Sequence, residues 1–367
     1  MTRFVLVLLV SGLPAGSAVI EADSTRGAQL FESLDCVQCH SINGQGGKIG
    51  PDLGRLLDRD FTPASLAATI WNHAPTMWAA MRQQNIPTGE LSPQAAADLF
   101  AYFYSRGFFN KPGDAARGKR AFESEHCAEC HGITETKLAA AQPVSQWADL
   151  GHPIELVDAM WNHAATMRQQ FQQQHIAWPE LASQELTDIL VYVRNLPATR
   201  SAAAPHFEIT AGANGQALFQ SKGCAACHSG SLDLASRLKH MTLTDIAVEM
   251  WNHEPKMAPQ ASSIDPEEMR SLVSYLWAQQ FFLDSGNASA GEKAFAGKHC
   301  TVCHTDASSG APKLPAAGKS FNAMTMVSVL WLHGPQMMQQ MQTKGIPWPR
   351  FDATEMSNLI SYLNSPK

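Results

Sequence analysis

All eight cysteines of this 367-residue chain fall into four pairs, and a histidine directly follows the second cysteine of each pair. Two residues separate the cysteines within a pair. The four motifs are Cys36, Cys39 and His40; Cys127, Cys130 and His131; Cys224, Cys227 and His228; and Cys300, Cys303 and His304. This spacing brings two sulfurs within reach of the two vinyl groups on one porphyrin edge and carries the histidine under the iron. We therefore predict four covalently attached haem c groups, bound through the cysteines, with the histidines as proximal iron ligands.

Other kinds of site also use closely spaced cysteines. The same thiols could form a Cys-x-x-Cys redox pair, a zinc site or, in an exported chain, disulfides. A zinc ribbon does not need a histidine directly after every second cysteine, whereas all four pairs have one and no cysteine is left over. The pattern therefore favours haem attachment.

Each unit offers two candidates for a second axial iron ligand. A tryptophan-x-histidine element lies downstream of each motif, and a methionine follows its histidine by four residues. The histidines are His73, His163, His253 and His333, and the methionines are Met77, Met167, Met257 and Met337. Residues four apart share one face of a helix, so repetition alone does not choose between the sets. A constant spacing of 25 residues from the methionine to a closing tyrosine, in three of the four units, favours methionine.

The elements around the motifs indicate a helical repeat. A glycine precedes a phenylalanine by four residues in each unit, and the pairs are Gly27/Phe31, Gly118/Phe122, Gly215/Phe219 and Gly291/Phe295. Each unit closes with an apolar, helix-periodic segment that contains Tyr102, Tyr192, Tyr275 or Tyr362. Residues 265–268 and 352–355 have the pattern of capping boxes at the start of two closing helices. No alternating strand pattern appears, so we predict an all-α chain of four tandem helical domains.

Linkers of unequal length divide the chain. We predict a signal peptide at residues 1–18, units at 24–110, 111–198, 213–283 and 284–367, and a linker at 199–212. The linkers that contain Phe108-Phe109 and Phe281-Phe282 resemble each other, and the middle linker is longer. We interpret this as two dihaem halves, one from units one and two and the other from units three and four. The simpler alternative is that short linkers between helices converge on similar residues.

With these features, the units resemble class I cytochrome c domains strung together as a tetrahaem bacterial c-type cytochrome. The resemblance covers nearly all of the chain after the signal segment and implies electron transfer. It also implies that the four methionines are the distal iron ligands. Gly50-Pro51-Asp52-Leu53 looks like the family's proline loop, whose carbonyl orients the proximal histidine.

The units depart from the family pattern at several positions. Units two and three lack a clear Gly-Pro-x-Leu loop, and unit four offers only Pro312 or Pro315. Ala165 stands where the other units have proline, and Leu332 stands where they have asparagine. These departures bring into question how the proximal histidines are hydrogen-bonded, but not the attachment of haem.

The N-terminal segment has the composition of a secretory signal. Arg3 is the positive residue, residues 4–13 are the apolar stretch, and residues 15–18 form a small-residue cleavage site. Ten apolar residues are too short for a bilayer-spanning anchor, so we expect a soluble, exported and periplasmic protein. The net charge of -6 gives no basic patch, which argues against nucleic acid as a partner.

Ligation of every iron by two side chains would leave no position for a substrate, and only outer-sphere electron transfer would remain. We therefore expect an electron carrier without catalytic residues or a small-molecule substrate. Its expected partners are redox proteins, among them a membrane respiratory complex. Two alternatives stay open. One is a peroxidase-type enzyme with a switchable distal site in unit two or four, and the other is a haem-wire subunit of a respiratory complex.

Overall fold

The computed structural model describes residues 21–54, 61–106, 113–139, 141–147, 150, 153–199, 209, 213–234, 237–238, 241–257, 263–279, 286–316 and 320–365. The predicted signal peptide, the Phe-Phe pairs of both short linkers and most of the predicted linker at 199–212 lie outside these residues.

Each unit has a helix that leads into the cysteine motif, a one-turn helix within the motif and two longer helices. In unit one they are α1 (Ser24–Ser33), α2 (Cys36–Cys39), α3 (Pro63–Gln83) and α4 (Pro93–Arg106). In unit two they are α5 (Ala115–Ser124), α6 (Cys127–Cys130), α7 (Pro153–Gln174) and α8 (Ser183–Arg194). In unit three they are α9 (Ala213–Ser221), α10 (Cys224–Cys227), α11 (Leu243–Met257) and α12 (Pro266–Gln279). In unit four they are α13 (Ala288–Gly297), α14 (Thr301–His304), α15 (Ala323–Thr343) and α16 (Ala353–Leu363). The predicted all-α fold is confirmed.

Side-chain caps fix where several of these helices begin. Asp265 and Asp352 each accept a hydrogen bond from the backbone N–H three residues later, at 2.9 Å and 2.7 Å. Glu268 and Glu355 return a carboxylate to the backbone N–H of the capping aspartate. Both predicted capping boxes are therefore present, and each satisfies two backbone donors at a helix start.

A two-stranded hairpin follows the first motif, although the sequence predicted no strands. Strand β1 (Ser41–Ile42) pairs antiparallel with β2 (Gln45–Gly46). The turn residues Asn43 and Gly44 both have positive φ angles, of 53° and 85°. An Asn-Gly turn of this kind closes a tight hairpin, which strands of two residues are too short to signal by alternation.

The first and last helices of each unit cross where the sequence has its repeated glycine. A Cβ atom at Gly27 would overlap the carbonyl oxygen of Asp98, and one at Gly118 would overlap that of Asp188. The repeated phenylalanine and tyrosine rings pack beside this crossing in all four units. Their centroids lie 5.7 Å apart for Phe31/Tyr102, 5.8 Å for Phe122/Tyr192, 5.9 Å for Phe219/Tyr275 and 5.4 Å for Phe295/Tyr362. The glycine therefore allows the two helices to approach closely, and the phenylalanine packs against the closing helix.

The units pack together in a different order from the two halves that the linkers suggested. Helix α3 of unit one packs against α15 and α16 of unit four, and α7 of unit two packs against α11 and α12 of unit three. The dihaem-half interpretation therefore does not describe the packing. Linkers report which units are neighbours along the chain, whereas packing depends on which apolar and hydrogen-bonding faces match.

Unit one also contacts unit three, and this contact joins the two pairs. The rings of Phe100 and Trp277 stack with centroids 5.3 Å apart and planes 11° apart. The buried Tyr104 hydroxyl accepts a hydrogen bond of 3.2 Å from the Leu243 backbone N–H. None of the helices described is long and apolar enough to cross a membrane.

Candidate haem-binding sites

The chain turns sharply into each cysteine motif. The residue before the first cysteine has a positive φ in every unit: 60° at Asp35, 62° at His126, 83° at Gly223 and 63° at His299. This left-handed residue ends the preceding helix and starts the next turn in a new direction. The cysteines and the following histidine are thereby presented away from the first helix.

Backbone carbonyl groups orient three of the four proximal histidines. The Nδ1–H group donates to the carbonyl of Pro51 from His40 at 3.0 Å and to that of Gln142 from His131 at 2.9 Å. His304 makes the equivalent bond to Pro312 at 2.9 Å. A carbonyl can only accept, so the proton lies on Nδ1 and leaves Nε2 free to bind a metal. The bond expected from the loop at Pro51 is therefore present, and units two and four have the same bond despite their different loops.

Unit three differs from the others in this respect. The Nδ1 atom of His228 is buried and has no hydrogen-bond partner among the residues described. This agrees with the missing Gly-Pro-x-Leu pattern in that unit.

The thiols are not paired with one another, and burial favours the neutral form of the first thiol in three of the motifs. None of the eight cysteines forms a disulfide. Burial raises the pKa of Cys36 to about 11, that of Cys127 to about 12 and that of Cys300 to about 11. Redox-active Cys-x-x-Cys pairs depend on the opposite shift, toward a thiolate. No group of three metal-binding side chains occurs in the described part of the chain.

The motif of unit two opens into a cavity of ≈ 690 Å³. Cys127, Cys130 and His131 line one side of it, and His163 and Met167 also reach it. Ligand cavities usually measure about 300–1,000 Å³ and are mostly apolar with a few polar groups. Two thiols, an oriented imidazole and an apolar cavity of this size fit a covalently attached haem.

Both sets of candidates for the distal ligand lie on the long helices, but the exposure of the histidines differs among the units. The methionines are half-buried in all four units. His163 is half-buried too, and its ring centroid lies 6.3 Å from that of His131. His253 is exposed and its Nδ1–H donates to the carbonyl of Glu249 in its own helix at 3.1 Å. Partial burial and the neighbouring His40 lower the pKa of His73.

The tryptophan and asparagine next to these histidines have a role that sequence reasoning missed. The indole Nε1–H of Trp71 donates to the carbonyl of Pro349 in unit four, at 2.6 Å. Asn72 binds the backbone of Phe351 in both directions, donating to its carbonyl at 2.7 Å and accepting from its N–H at 2.9 Å. Trp71 therefore anchors a neighbouring unit.

Unit three holds unit two in the same way. Trp251 donates to the carbonyl of Pro179 at 3.0 Å, and Asn252 binds both backbone groups of Leu181, at 3.0 Å and 2.9 Å. Trp251 also lines the cavity of unit two, so a residue of one unit completes the binding site of another. The Ile-x-Trp-Pro segments at 176–179 and 346–349, present only in units two and four, were the signal for these contacts.

Comparisons with known proteins agree with this geometry. Residues 24–106 and 115–197 each match the family model described as Cytochrome c. Residues 210–276 match the family model described as Cytochrome C oxidase, cbb3-type, subunit III. No solved structure matches the chain at a significant level.

Proposed function

Because two tandem cytochrome c domains and a cbb3-type cytochrome domain make this chain a multihaem c-type cytochrome, we propose that it is a periplasmic electron relay with four haems c. A bound haem supplies reversible one-electron chemistry at its iron. The chain's own residues attach it, supply its axial ligands and exclude water from it.

The observation that carries the count of four is the repetition of one site geometry in unit four, which neither family model covers. Its motif follows a left-handed residue, and His304 donates to a backbone carbonyl as His40 and His131 do. Its first helix crosses its last at Gly291 beside the Phe295/Tyr362 ring pair. A unit that matches the others at each of these points supports a fourth haem.

The proposed distal ligands of units one, three and four are Met77, Met257 and Met337. Each is half-buried on the long helix of its unit. In unit three, the competing His253 is exposed whereas Met257 is half-buried, which favours Met257 there. Ligation by a thioether raises the reduction potential relative to two imidazoles. Irons held on both sides by protein leave no position for substrate, which supports electron transfer rather than catalysis.

Export to the periplasm is proposed from the signal-like segment at residues 1–18. Free thiols at all eight positions are consistent with thioether formation after export, since no disulfide occupies them.

A second candidate function is that of a haem-bearing subunit held in a respiratory complex. The match of residues 210–276 to subunit III of a cbb3-type oxidase favours this candidate. The two functions differ in whether the chain is isolated alone. Co-purification with membrane-bound oxidase subunits at constant ratio would favour the subunit, and recovery of the chain by itself would favour the free relay.

The central test is the mass of the exported, denatured protein. We expect the cleaved chain plus four covalently bound haems. The variant Cys300→Ser/Cys303→Ser is the matched control, and it should carry three haems. A mass without haem, or a control variant with the same haem content as the native protein, would contradict the proposal. Carbon monoxide binding to the native protein would instead support an open distal site and an enzyme.

A further inference from the structure

We propose that His163, and not Met167, is the distal iron ligand in unit two, opposite His131. This inference rests on the proposed function, because it names a ligand of one of the four haems. It makes unit two a site with two imidazole ligands in a chain whose other units use methionine.

The spacing of the two imidazole rings is the first observation. Both rings line the same cavity, and their centroids lie 6.3 Å apart with their planes tilted by 51°. Imidazole nitrogens bind metal ions at about 2 Å, so two imidazoles on one ion place their centroids about 6 Å apart. The side chains of unit two therefore stand at the separation that a shared iron requires.

His131 lines the cavity and is held with Nε2 as its free nitrogen. Its Nδ1–H donates to the carbonyl of Gln142 at 2.9 Å, which assigns Nε2 as the unprotonated nitrogen. The indole Nε1–H of Trp147 donates to the same carbonyl at 3.2 Å. The Trp147 ring also lies edge-on to the imidazole, with centroids 5.2 Å apart. The proximal ring is thus fixed in direction by two neighbours.

The helix that carries His163 is fixed on unit three from both sides of that residue. Asn162 donates to the carbonyl of Ile264 at 2.6 Å and accepts from its N–H at 3.1 Å. Arg168 binds both carboxylate oxygens of Glu254, at 2.6 Å and 2.5 Å. Side chains held this way lose little further freedom on binding a ligand. The interface between the units therefore fixes the helix segment that carries His163.

Unit two also lacks the proline that lies between the candidate histidine and the candidate methionine in the other three units. Pro75, Pro255 and Pro335 lie inside α3, α11 and α15, between the histidine and the methionine. Ala165 takes this position in α7. A proline inside a helix removes a backbone hydrogen bond and distorts the turn, and this changes how the residues on either side of it are presented. Unit two is therefore the unit in which a different ligand is expected.

The experiment compares His163→Ala with its matched control Met167→Leu in the full-length, haem-loaded protein. Ligands are counted by near-infrared magnetic circular dichroism and electron paramagnetic resonance of the oxidised protein. We expect one bis-histidine signal among four haems in the native protein. His163→Ala should lose this signal, and Met167→Leu should retain it. The variant His163→Met should convert it into a histidine/methionine signal and raise the potential of one haem.

The inference is overturned if the native protein has no bis-histidine signal, or if Met167→Leu loses a histidine/methionine signal while His163→Ala changes nothing. Poor yield of His163→Ala does not affect the test, because the native spectrum and His163→Met decide it. Haem content, measured by mass on the same samples, separates this result from the proposed function. Four haems with unchanged ligation in every variant would reject His163 alone, whereas native protein without haem would reject both.

Discussion

The indole rings of Trp178 and Trp251 stack across the boundary between units two and three, with centroids 4.2 Å apart and planes tilted by 29°. Trp178 donates to the backbone carbonyl of Trp251 at 3.3 Å, so the pair is joined by a hydrogen bond as well as by ring contact. Trp71 and Trp348 repeat the arrangement between units one and four, with centroids 4.6 Å apart. Stacked tryptophans thus join unit one to unit four and unit three to unit two. The predicted halves paired unit one with unit two and unit three with unit four.

Substitution of Trp251 by alanine tests how much this contact stabilises the protein. Trp251 is 1% exposed, and its loss leaves a cavity between the units and an unpaired carbonyl at Pro179. We expect the free energy of unfolding to fall by about 3–5 kcal/mol, as for other buried aromatic residues. Denaturant unfolding of the haem-loaded protein measures this change. The control is Trp331→Ala, whose half-buried indole donates to Gly89 at an exposed contact and should cost about 1–2 kcal/mol. An equal fall in the free energy of unfolding in both variants would contradict a special stabilising role of Trp251 at this interface.

The asparagine beside this tryptophan gives a second test. Asn252→Leu removes both hydrogen bonds to the Leu181 backbone and should lower the free energy of unfolding by about 1–3 kcal/mol. Unit four already has leucine at the equivalent position, where Leu332 is 57% exposed. The reverse change, Leu332→Asn, should therefore alter the free energy of unfolding by less than about 0.5 kcal/mol. The same unfolding measurement compares the two, and a neutral Asn252→Leu would show that the backbone contacts do not stabilise the interface.

The attachment motifs could be predicted from the sequence because their chemistry depends on neighbours in the chain. Cys127, Cys130 and His131 are placed by a single helical turn, which two intervening residues determine. The acceptors of the proximal histidines were only partly predictable. Pro51 belongs to a recognisable loop, but Gln142 acts through its backbone carbonyl, and any residue type supplies one.

Which units pack against each other could not be derived from residues that are close together in the chain. A tryptophan packed against haem and one packed against another unit are both buried aromatic residues, so Trp71 and Trp251 are compatible with either role. Only the three-dimensional partner distinguishes them. The similar linkers around Phe108 and Phe281 each join two units that are consecutive in the chain. They carry no information on which units pack against each other.

A buried ion pair lies at the interface of units two and three. Replacing one of its partners should lower the free energy of unfolding more than the same change in an ion pair on the surface. The side chain of Glu254 is only 4% exposed, and Arg168 binds both of its oxygens. Arg168→Met leaves the carboxylate buried without a partner and should cost about 3–5 kcal/mol in thermal or denaturant unfolding. The double variant Arg168→Met/Glu254→Leu removes both charges and should recover part of this loss.

The exposed pair Lys119–Glu123 is the control for this effect. Its side chains are 59% and 56% exposed, and Lys119→Ala should change the free energy of unfolding by less than about 0.5 kcal/mol. A double variant no more stable than Arg168→Met would argue against an uncompensated charge as the cause.

Asp158 should make stability depend on pH, because its carboxyl group lines the cavity of unit two and is 5% exposed. Burial, reinforced by the negative charge of Asp265, raises its pKa from 3.8 to about 6. Between these values the folded protein holds a proton that the unfolded chain has lost. The stabilising contribution of Asp158 is therefore complete below about pH 4 and is lost as the pH rises through about 6.

The variant Asp158→Asn should remove this dependence and raise the free energy of unfolding at pH 7 by about 1–3 kcal/mol. Asparagine has the same shape and can still accept the 3.2 Å hydrogen bond from Asn162, so packing should be conserved. The measurement is denaturant unfolding of both haem-loaded proteins at several pH values from 4 to 8. The difference between their free energies should grow between pH 4 and 6 and then level off. Parallel curves over this range would mean that Asp158 titrates with an ordinary pKa, and that the cavity of unit two is more hydrated than its apolar walls imply.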